Sequence, residues 1–325
     1  MAEYRSKITQ HKQAVLQGAL LSKPEAMELI EAPLDELCAA ANEIREFFCG
    51  NQFDLCTIIN GKSGQCTEDC KYCAQSVWYT TTAQSYPLLS EEKLVEQAHY
   101  HDSKGVPRYS IVTSGRSLSQ QEVDQACASV ARIRQETNLS VCVSFGLLQQ
   151  EQFRQLKEAG VSRIHNNLES SRRYFPQVCT THSYDEKIAT IRAAQQAGLT
   201  VCSGGIVGLG ETMEDRLDLA FTLRDLGIGS VPINVLNPIA GTPYAHNQPL
   251  RSEEVCRIVA IFRFILPTAF IRLAGGRGLL PDRGRRCFCS GANAAITGDM
   301  LTTSGSTIAQ DLALLEELHY QVARD

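Results

Sequence analysis

Beyond its first fifty residues the chain alternates short β-branched runs with longer segments of helical periodicity. The runs are Leu55–Ile59, Tyr109–Thr113, Val141–Phe145, Arg163–Asn167, Thr200–Ile206, Val231–Val235 and Phe270–Leu273, with a weaker one near Met300. Between them, apolar residues recur at helical spacing over Glu91–Ser103, Gln120–Glu136, Gln149–Ala159, Tyr184–Ala197, Met213–Leu226 and Ser252–Leu266. This alternation predicts a parallel sheet with helical crossovers. Eight such units over residues 51–325 predict a closed (β/α)8 TIM-type barrel with a C-terminal tail. A doubly wound sheet is the competing α/β architecture, but no G-x-G-x-x-G follows the first strand. Residues 1–50 read as a helical N-terminal extension. Ser22-Lys-Pro-Glu25 has the form of a capping box with proline in the first turn, and a helix from Pro33 to Cys49 stops at Gly50.

Composition narrows the class. Of 325 residues, 43% are hydrophobic and 21% charged, an ordinary globular balance. The net charge of −5 provides no basic field for nucleic acid or an anionic membrane. The most apolar stretch, Ile258 to Phe270, is broken by Arg263 and Pro267 and falls short of the roughly 18 residues of a membrane span. The opening MAEYRSKITQHKQ lacks a secretory layout, so the expected location is the cytoplasm. Thirteen cysteines, an odd number without an export signal, read as metal ligands or reactive thiols rather than a disulfide framework. Cys38 and Cys127, on apolar helical faces, read as small buried hydrophobes.

The informative cysteines follow the first predicted strand, in Gly61-Lys-Ser-Gly-Gln-Cys66-Thr-Glu-Asp-Cys70-Lys-Tyr-Cys73. Three thiolates spaced C-x3-C-x2-C on one loop can hold three irons of a 4Fe-4S cube and leave the fourth open. Zinc is the alternative, but a closed zinc site needs a fourth ligand, and no second C-x2-C or H-x3-H occurs. A second signal is the glycine-rich Val201–Glu211 at the end of the fifth strand. Gly204, Gly205 and Ile206 read either as an adenosine-contacting segment or as a structural turn.

The cysteine loop, with Tyr72 before its last cysteine, resembles the radical S-adenosylmethionine superfamily. CTEDCKYCAQS (Cys66–Ser76), VCSGGIVGLGET (Val201–Thr212), PINVLNPIAGTP (Pro232–Pro243), IRLAGGR (Ile271–Arg277) and SGANAAITGDMLTT (Ser290–Thr303) narrow the resemblance to the biotin synthase family, over about Asn51 to Thr303. The resemblance implies radical insertion of sulfur into dethiobiotin, using S-adenosylmethionine and an auxiliary iron–sulfur cluster. It implies that Cys66, Cys70 and Cys73 hold the cube and that Glu169 accepts from ribose hydroxyls. It places Asn167 in a polar cluster, His165–Glu169, that serves both S-adenosylmethionine and dethiobiotin, and assigns Asn167 and Asn234 to the ureido ring of dethiobiotin and Cys142, Cys202 and Arg272 to the auxiliary cluster. A flavodoxin or ferredoxin as electron donor and a homodimer are further implications.

The chain departs from the family pattern at Ser110, where a cysteine of the auxiliary set is expected, and at His182, in place of an arginine. A serine hydroxyl is a poor iron ligand beside a thiolate. Cys287-Phe-Cys289 offers compensation if one or both thiols point into the barrel mouth, and reads as packing otherwise; Cys179 is a further candidate. A sister radical enzyme, such as a mutase or a cofactor-maturation enzyme, and a non-catalytic iron–sulfur carrier are the alternative functions.

Overall fold

The structure, a computed structural model, describes residues 2–303 and 305–324. Three helices lead: α1 (Ala2–Leu16), α2 (Lys23–Glu28) and α3 (Leu34–Cys49). The Ser22 N–H donates to the Glu25 carboxylate at 2.8 Å, as the capping box predicts. Gly50 ends α3 at φ 55°. The chain continues through β1 (Gln52–Lys62), α4 (Glu91–Ser103), β2 (Arg108–Thr113), α5 (Gln120–Glu136), β3 (Ser140–Ser144), α6 (Gln150–Glu158) and β4 (Val161–His165). Next come α7 (Phe175–Val178), α8 (Tyr184–Gln196), β5 (Thr200–Cys202), β6 (Gly205–Val207), α9 (Met213–Asp225), β7 (Ser230–Val235) and α10 (Ser252–Ile265). The last elements are β8 (Phe270–Leu273), α11 (Arg285–Phe288), β9 (Ala294–Thr297), α12 (Ile308–Glu317) and β10 (Gln321–Val322).

All the strand pairs are parallel, in the order β1-β2-β3-β4-β5-β7-β8-β9, and β9 pairs back onto β1 to close the barrel. Strand β10 adds to the start of β1, through Gln52 and Phe53. Strand alternation divides the residues cleanly. Leu55, Tyr109, Ile111, Val141, Val231 and Ile271 are fully buried in the apolar core. The residues alternating with them, including Cys56, Arg108, Ser110, Cys142, Arg163 and Arg272, face the interior cavity.

Three expectations shift. The fourth strand is Val161–His165, so Asn167 lies just beyond its end. The fifth is split into β5 and β6, because Gly204 passes so close to β7 that a Cβ there would lie 1.9 Å from the Pro232 carbonyl oxygen. The last barrel strand is Ala294–Thr297 rather than a segment near Met300, whose N–H instead closes a turn onto Thr303 O at 2.9 Å. Its small residues Ala294 and Ala295 are poor strand formers by propensity, but they are buried where the barrel closes.

Arg263, which interrupts the apolar run of α10, is itself buried. Its guanidinium donates to Gly291 O at 2.9 Å, Pro267 O at 2.9 Å and Asn293 Oδ1 at 2.8 Å, tying α10 to the chain entering β9. Helix α3 packs on α10, so the N-terminal helices cover that side of the barrel. Among the described residues no helix is long and apolar enough to cross a membrane.

Candidate active site

A cavity of about 390 Å³ lies inside the barrel and opens among the loops that follow the strands. That size falls within the range of small-molecule sites. Active sites of this architecture form at the same end, because the loops there converge from every strand.

Cys66, Cys70 and Cys73 all line this cavity, and all are free thiols. Their loop is folded by its own backbone: Cys66 N–H donates to Gln75 O at 3.1 Å, Val77 N–H to Cys66 O at 2.9 Å and Cys73 N–H to Cys70 O at 2.9 Å. It is also fastened to the segment after α7. Lys71 N–H reaches Val178 O at 3.0 Å, and the Asp69 carboxylate accepts from the N–H groups of Thr180 at 2.8 Å and Thr181 at 3.2 Å. Burial opposes charge on Asp69, but hydrogen bonds from the Thr180 hydroxyl and N–H, the Cys179 thiol and the Thr181 N–H win and hold its carboxyl well below the usual range. Three converging thiols on a preformed loop fit an iron–sulfur cube.

Glu169 stands beside this loop at φ 68°, in the left-handed region that favours glycine. Its backbone bridges to Gly205, with Ile206 N–H donating to Glu169 O at 2.8 Å. Its Oε2 is buried without a hydrogen-bond partner among the described residues. A hydroxyl-bearing ligand would satisfy it. Tyr72 lies against Glu169; burial first, then that carboxylate's charge, pushes the phenol up.

Gly205 is as constrained as Gly204, since a Cβ there would fall 2.5 Å from Glu169 O. The glycines therefore serve close backbone packing, and of this segment Ile206 reaches the cavity wall. Asn167 Oδ1 accepts from Gly204 N–H at 3.0 Å, which leaves its NH2 group to face the cavity. Asn234 donates to Gly205 O at 3.1 Å and accepts from Gly275 N–H at 2.8 Å, so half its amide capacity ties neighbouring loops together.

Deeper in the barrel lies a second set of thiols. Cys142 and Cys202 line the cavity, as does Cys56 of β1, which sequence reasoning passed over. Ser110 also faces inward, in register with Cys142, and Cys56 stands one inward step away on the neighbouring strand, opposite Arg108. An inward thiol therefore stands on β1 beside the position where β2 carries Ser110. The available signal was the period of two that puts Cys56 in phase with Asp54.

Three arginines surround the Asp54 carboxylate: Arg163 and Arg272 at 2.7 Å and Arg108 at 3.4 Å. Burial would raise the Asp54 carboxyl, but these guanidinium groups hold it well below the usual range. Burial would likewise raise the Cys202 thiol, but His165, Arg272 and Arg163 bring it down to about 6. Burial keeps Cys56 and Cys142 raised. The net positive interior suits an anionic thiolate-ligated cluster. Arg272 also donates to Asp54 O at 3.0 Å and Ala295 O at 2.9 Å, and Asp54 keeps it positive against the effect of burial. A protonated guanidinium offers hydrogen bonds rather than a lone pair.

Cys287 and Cys289 do not join this set. They belong to the turn around α11, at the N-terminal end of the barrel, where the Phe288 ring packs on Phe53 at the start of β1, 5.1 Å between centroids. Cys287 is buried with its sulfur 3.5 Å from Cys256 on α10, and Cys289 is exposed. The chain has already returned to the barrel floor before entering β9, so the expected route into the mouth is closed.

Cys179 and His182 lie beside the cysteine loop instead. The hydrogen bond from Cys70 to Cys179 raises the Cys70 thiol, as burial also does, and lowers that of Cys179. His182 Nδ1 lies 2.5 Å from Glu68 Oε2 and 3.3 Å from the Cys179 sulfur.

Residues 62–223 match the Radical SAM superfamily, and residues 232–321 match the Biotin and Thiamin Synthesis associated domain. A biotin synthase of Akkermansia muciniphila is 59% identical over 308 residues, covering 95% of this chain and 96% of that protein. One from Brachyspira hyodysenteriae is 56% identical over 311 residues, covering 96% and 93%. Among solved structures, methylornithine synthase superposes with a TM-score of 0.85 at 18% identity, covering 97% of both chains. The FeFe-hydrogenase maturase from Carboxydothermus hydrogenoformans gives 0.82 at 18% identity, covering 98% of this chain and 79% of that one. These distant structures share the fold. Near-full-length identity above one half, on a barrel with a cysteine loop at its mouth, shows that the chain belongs to the biotin synthase family of radical S-adenosylmethionine enzymes.

Proposed function

We propose that the chain inserts sulfur into dethiobiotin to form biotin, using S-adenosylmethionine at the mouth of the barrel and a sulfur source deeper inside. The observation that carries this reading is the pair of thiol groups at two depths of one cavity, Cys66, Cys70 and Cys73 above and Cys56, Cys142 and Cys202 below. An enzyme needing only the radical cube has no use for the lower set, and a passive cluster carrier has no use for the polar residues between them.

A cube held there would supply single electrons for cleavage of S-adenosylmethionine, and an auxiliary cluster would supply the sulfur for insertion. Cys66, Cys70 and Cys73 would hold the first; Cys56, Cys142 and Cys202 the second, with Arg272 donating hydrogen bonds to it. The orphaned Glu169 oxygen receives ribose hydroxyls, and Ile206 packs on the adenosine. The free NH2 of Asn167 donates to the ureido carbonyl. Family membership supports a flavodoxin or ferredoxin as reductant, a homodimer as the working form and the cytoplasm as location.

Anaerobic reconstitution followed by iron and sulfide counting, Mössbauer spectroscopy and biotin assay tests this assignment. Cys56→Ala is expected to lose the auxiliary cluster and biotin formation while still cleaving S-adenosylmethionine. Cys287→Ala and Cys289→Ala are expected to keep both clusters. Full iron and normal biotin yield in Cys56→Ala would remove Cys56 from the ligand set.

Asn234→Ala gives a second expected result. Its side chain ties Gly205, in the segment carrying Ile206, to Gly275. Loss of these bonds costs about 1–3 kcal/mol. S-adenosylmethionine and dethiobiotin should weaken together, with a lowered melting temperature. Isothermal titration with each ligand checks this; selective loss of dethiobiotin would show that Asn234 acts only on the ureido ring.

A further inference from the structure

Cys70 faces two sets of partners. On its own loop are Cys66 and Cys73; across the loop are Cys179 and His182. The sulfurs of Cys70 and Cys179 and a ring nitrogen of His182 all lie within 4.8 Å of one another. The Glu68 carboxylate lies behind the imidazole rather than among the three donors, with Oε2 2.5 Å from His182 Nδ1. Cys179, His182 and Glu68 are buried. The two segments that carry these groups are held together independently of any ligand, by Lys71 N–H to Val178 O and by the Asp69 carboxylate on the backbone of Thr180 and Thr181. Two thiols and an imidazole form three of the four donors of a tetrahedral thiophilic cation, and thiolate with imidazole is the combination that selects zinc.

We infer that the iron-free chain binds one zinc-class divalent cation through Cys70, Cys179 and His182, with Glu68 holding the imidazole in place and solvent as the fourth ligand. Binding displaces the thiol protons to solvent, and no electron is transferred. The inference goes beyond sulfur insertion and rests on the cube assignment in one respect. Cys70 cannot serve this ion and the cube together, so the two occupants exclude each other. Zinc bound here holds Cys70 away from Cys66 and Cys73 and blocks cube assembly until it is removed.

The test uses the full-length chain stripped of iron and titrated anaerobically with cobalt(II), the spectroscopic stand-in for zinc. The expected result is one cobalt per chain with sulfur-to-cobalt charge transfer and the visible bands of a tetrahedral site, displaced by one equivalent of zinc. Cys179→Ala and His182→Ala should each weaken cobalt at least about tenfold, the scale of losing an ordered metal contact. The Cys179 sulfur also lies 3.2 Å from Asp69 Oδ1 and 3.4 Å from Thr181 Oγ1; Cys179→Ser keeps a hydroxyl for these contacts and separates ligand loss from misfolding when checked by circular dichroism. Cys66→Ala should bind cobalt normally. Loss of cobalt in Cys66→Ala with retention in both Cys179→Ala and His182→Ala would assign the metal to the loop thiols and overturn the inference. Separately, one equivalent of zinc added before iron and sulfide should delay iron uptake in the wild-type chain and not in Cys179→Ala; equal uptake in both would overturn the exclusion. Failure of the cube assignment would look different, as a radical cube that still forms in Cys66→Ala.

Discussion

Cys66→Ala is expected to abolish reductive cleavage of S-adenosylmethionine, and with it all biotin formation. Two remaining thiolates cannot hold a cube with one open iron, so the variant should lack about four irons per chain. The backbone of Cys66 stays paired with Gln75 O and Val77 N–H whatever side chain it bears, so the loop itself should survive. The loss is therefore one of chemistry, with the melting temperature of the iron-free protein close to wild type. Anaerobic assay of 5′-deoxyadenosine under a strong reductant reads it directly. Production at the wild-type rate would remove Cys66, and the radical cube with it, from the proposed mechanism. Cys56→Ala makes the contrast, because cleavage continues there while sulfur insertion stops.

Asp54→Asn should damage the fold more than any single change at the cavity wall. The carboxylate is buried at the closing seam of the barrel, and Arg108, Arg163 and Arg272 all converge on it. Removing one member of a buried ion pair costs about 3–5 kcal/mol, because the partner charge is left in a poorly solvated interior. Three guanidinium groups depend on this one carboxylate, which puts the expected effect at the upper end. That is a large share of a total stability of roughly 5–15 kcal/mol, so the soluble yield and the urea midpoint of the variant should both fall well below wild type.

The pH dependence follows from the depressed Asp54 carboxyl. In the folded chain it titrates below its ordinary value of about 4. Its stabilisation is therefore fully present above that value and is lost as the pH falls through the lower folded value. Urea midpoints of wild type and Asp54→Asn should differ most near neutrality and converge in acid. A constant gap from neutral to acid pH would show that the carboxylate's charge is not what holds the seam.

The chain's local signals account for the upper half of the site. Cys66, Cys70 and Cys73 lie within eight residues, so their convergence is a property of one loop and is legible from spacing alone. The strand–helix alternation is equally local, and it specified the barrel because each half-buried strand must be covered by the helix that follows it. Gly204 and Gly205 were conspicuous in the sequence, though their purpose, clearance from Pro232 and Glu169, appears only in three dimensions.

The lower half was decided by tertiary structure. The period of two puts Cys56 in phase with Asp54, but barrel closure decides that this face points inward and brings Cys56 to Cys142 and Cys202. Asp54, Arg108, Arg163 and Arg272 meet because four strands distant in sequence share one interior layer, which no local pattern encodes. Cys287 and Cys289 mislead for the same reason. Their position after β8 points to the mouth, but the chain turns back to the floor to enter β9 and leaves Cys287 against Cys256. Sequence alone determined the barrel and the three-cysteine loop, because these depend on neighbours along the chain. The meeting of the deeper thiols and their charge balance depend on long-range strand pairing and inward phase, and only the closed barrel supplies both.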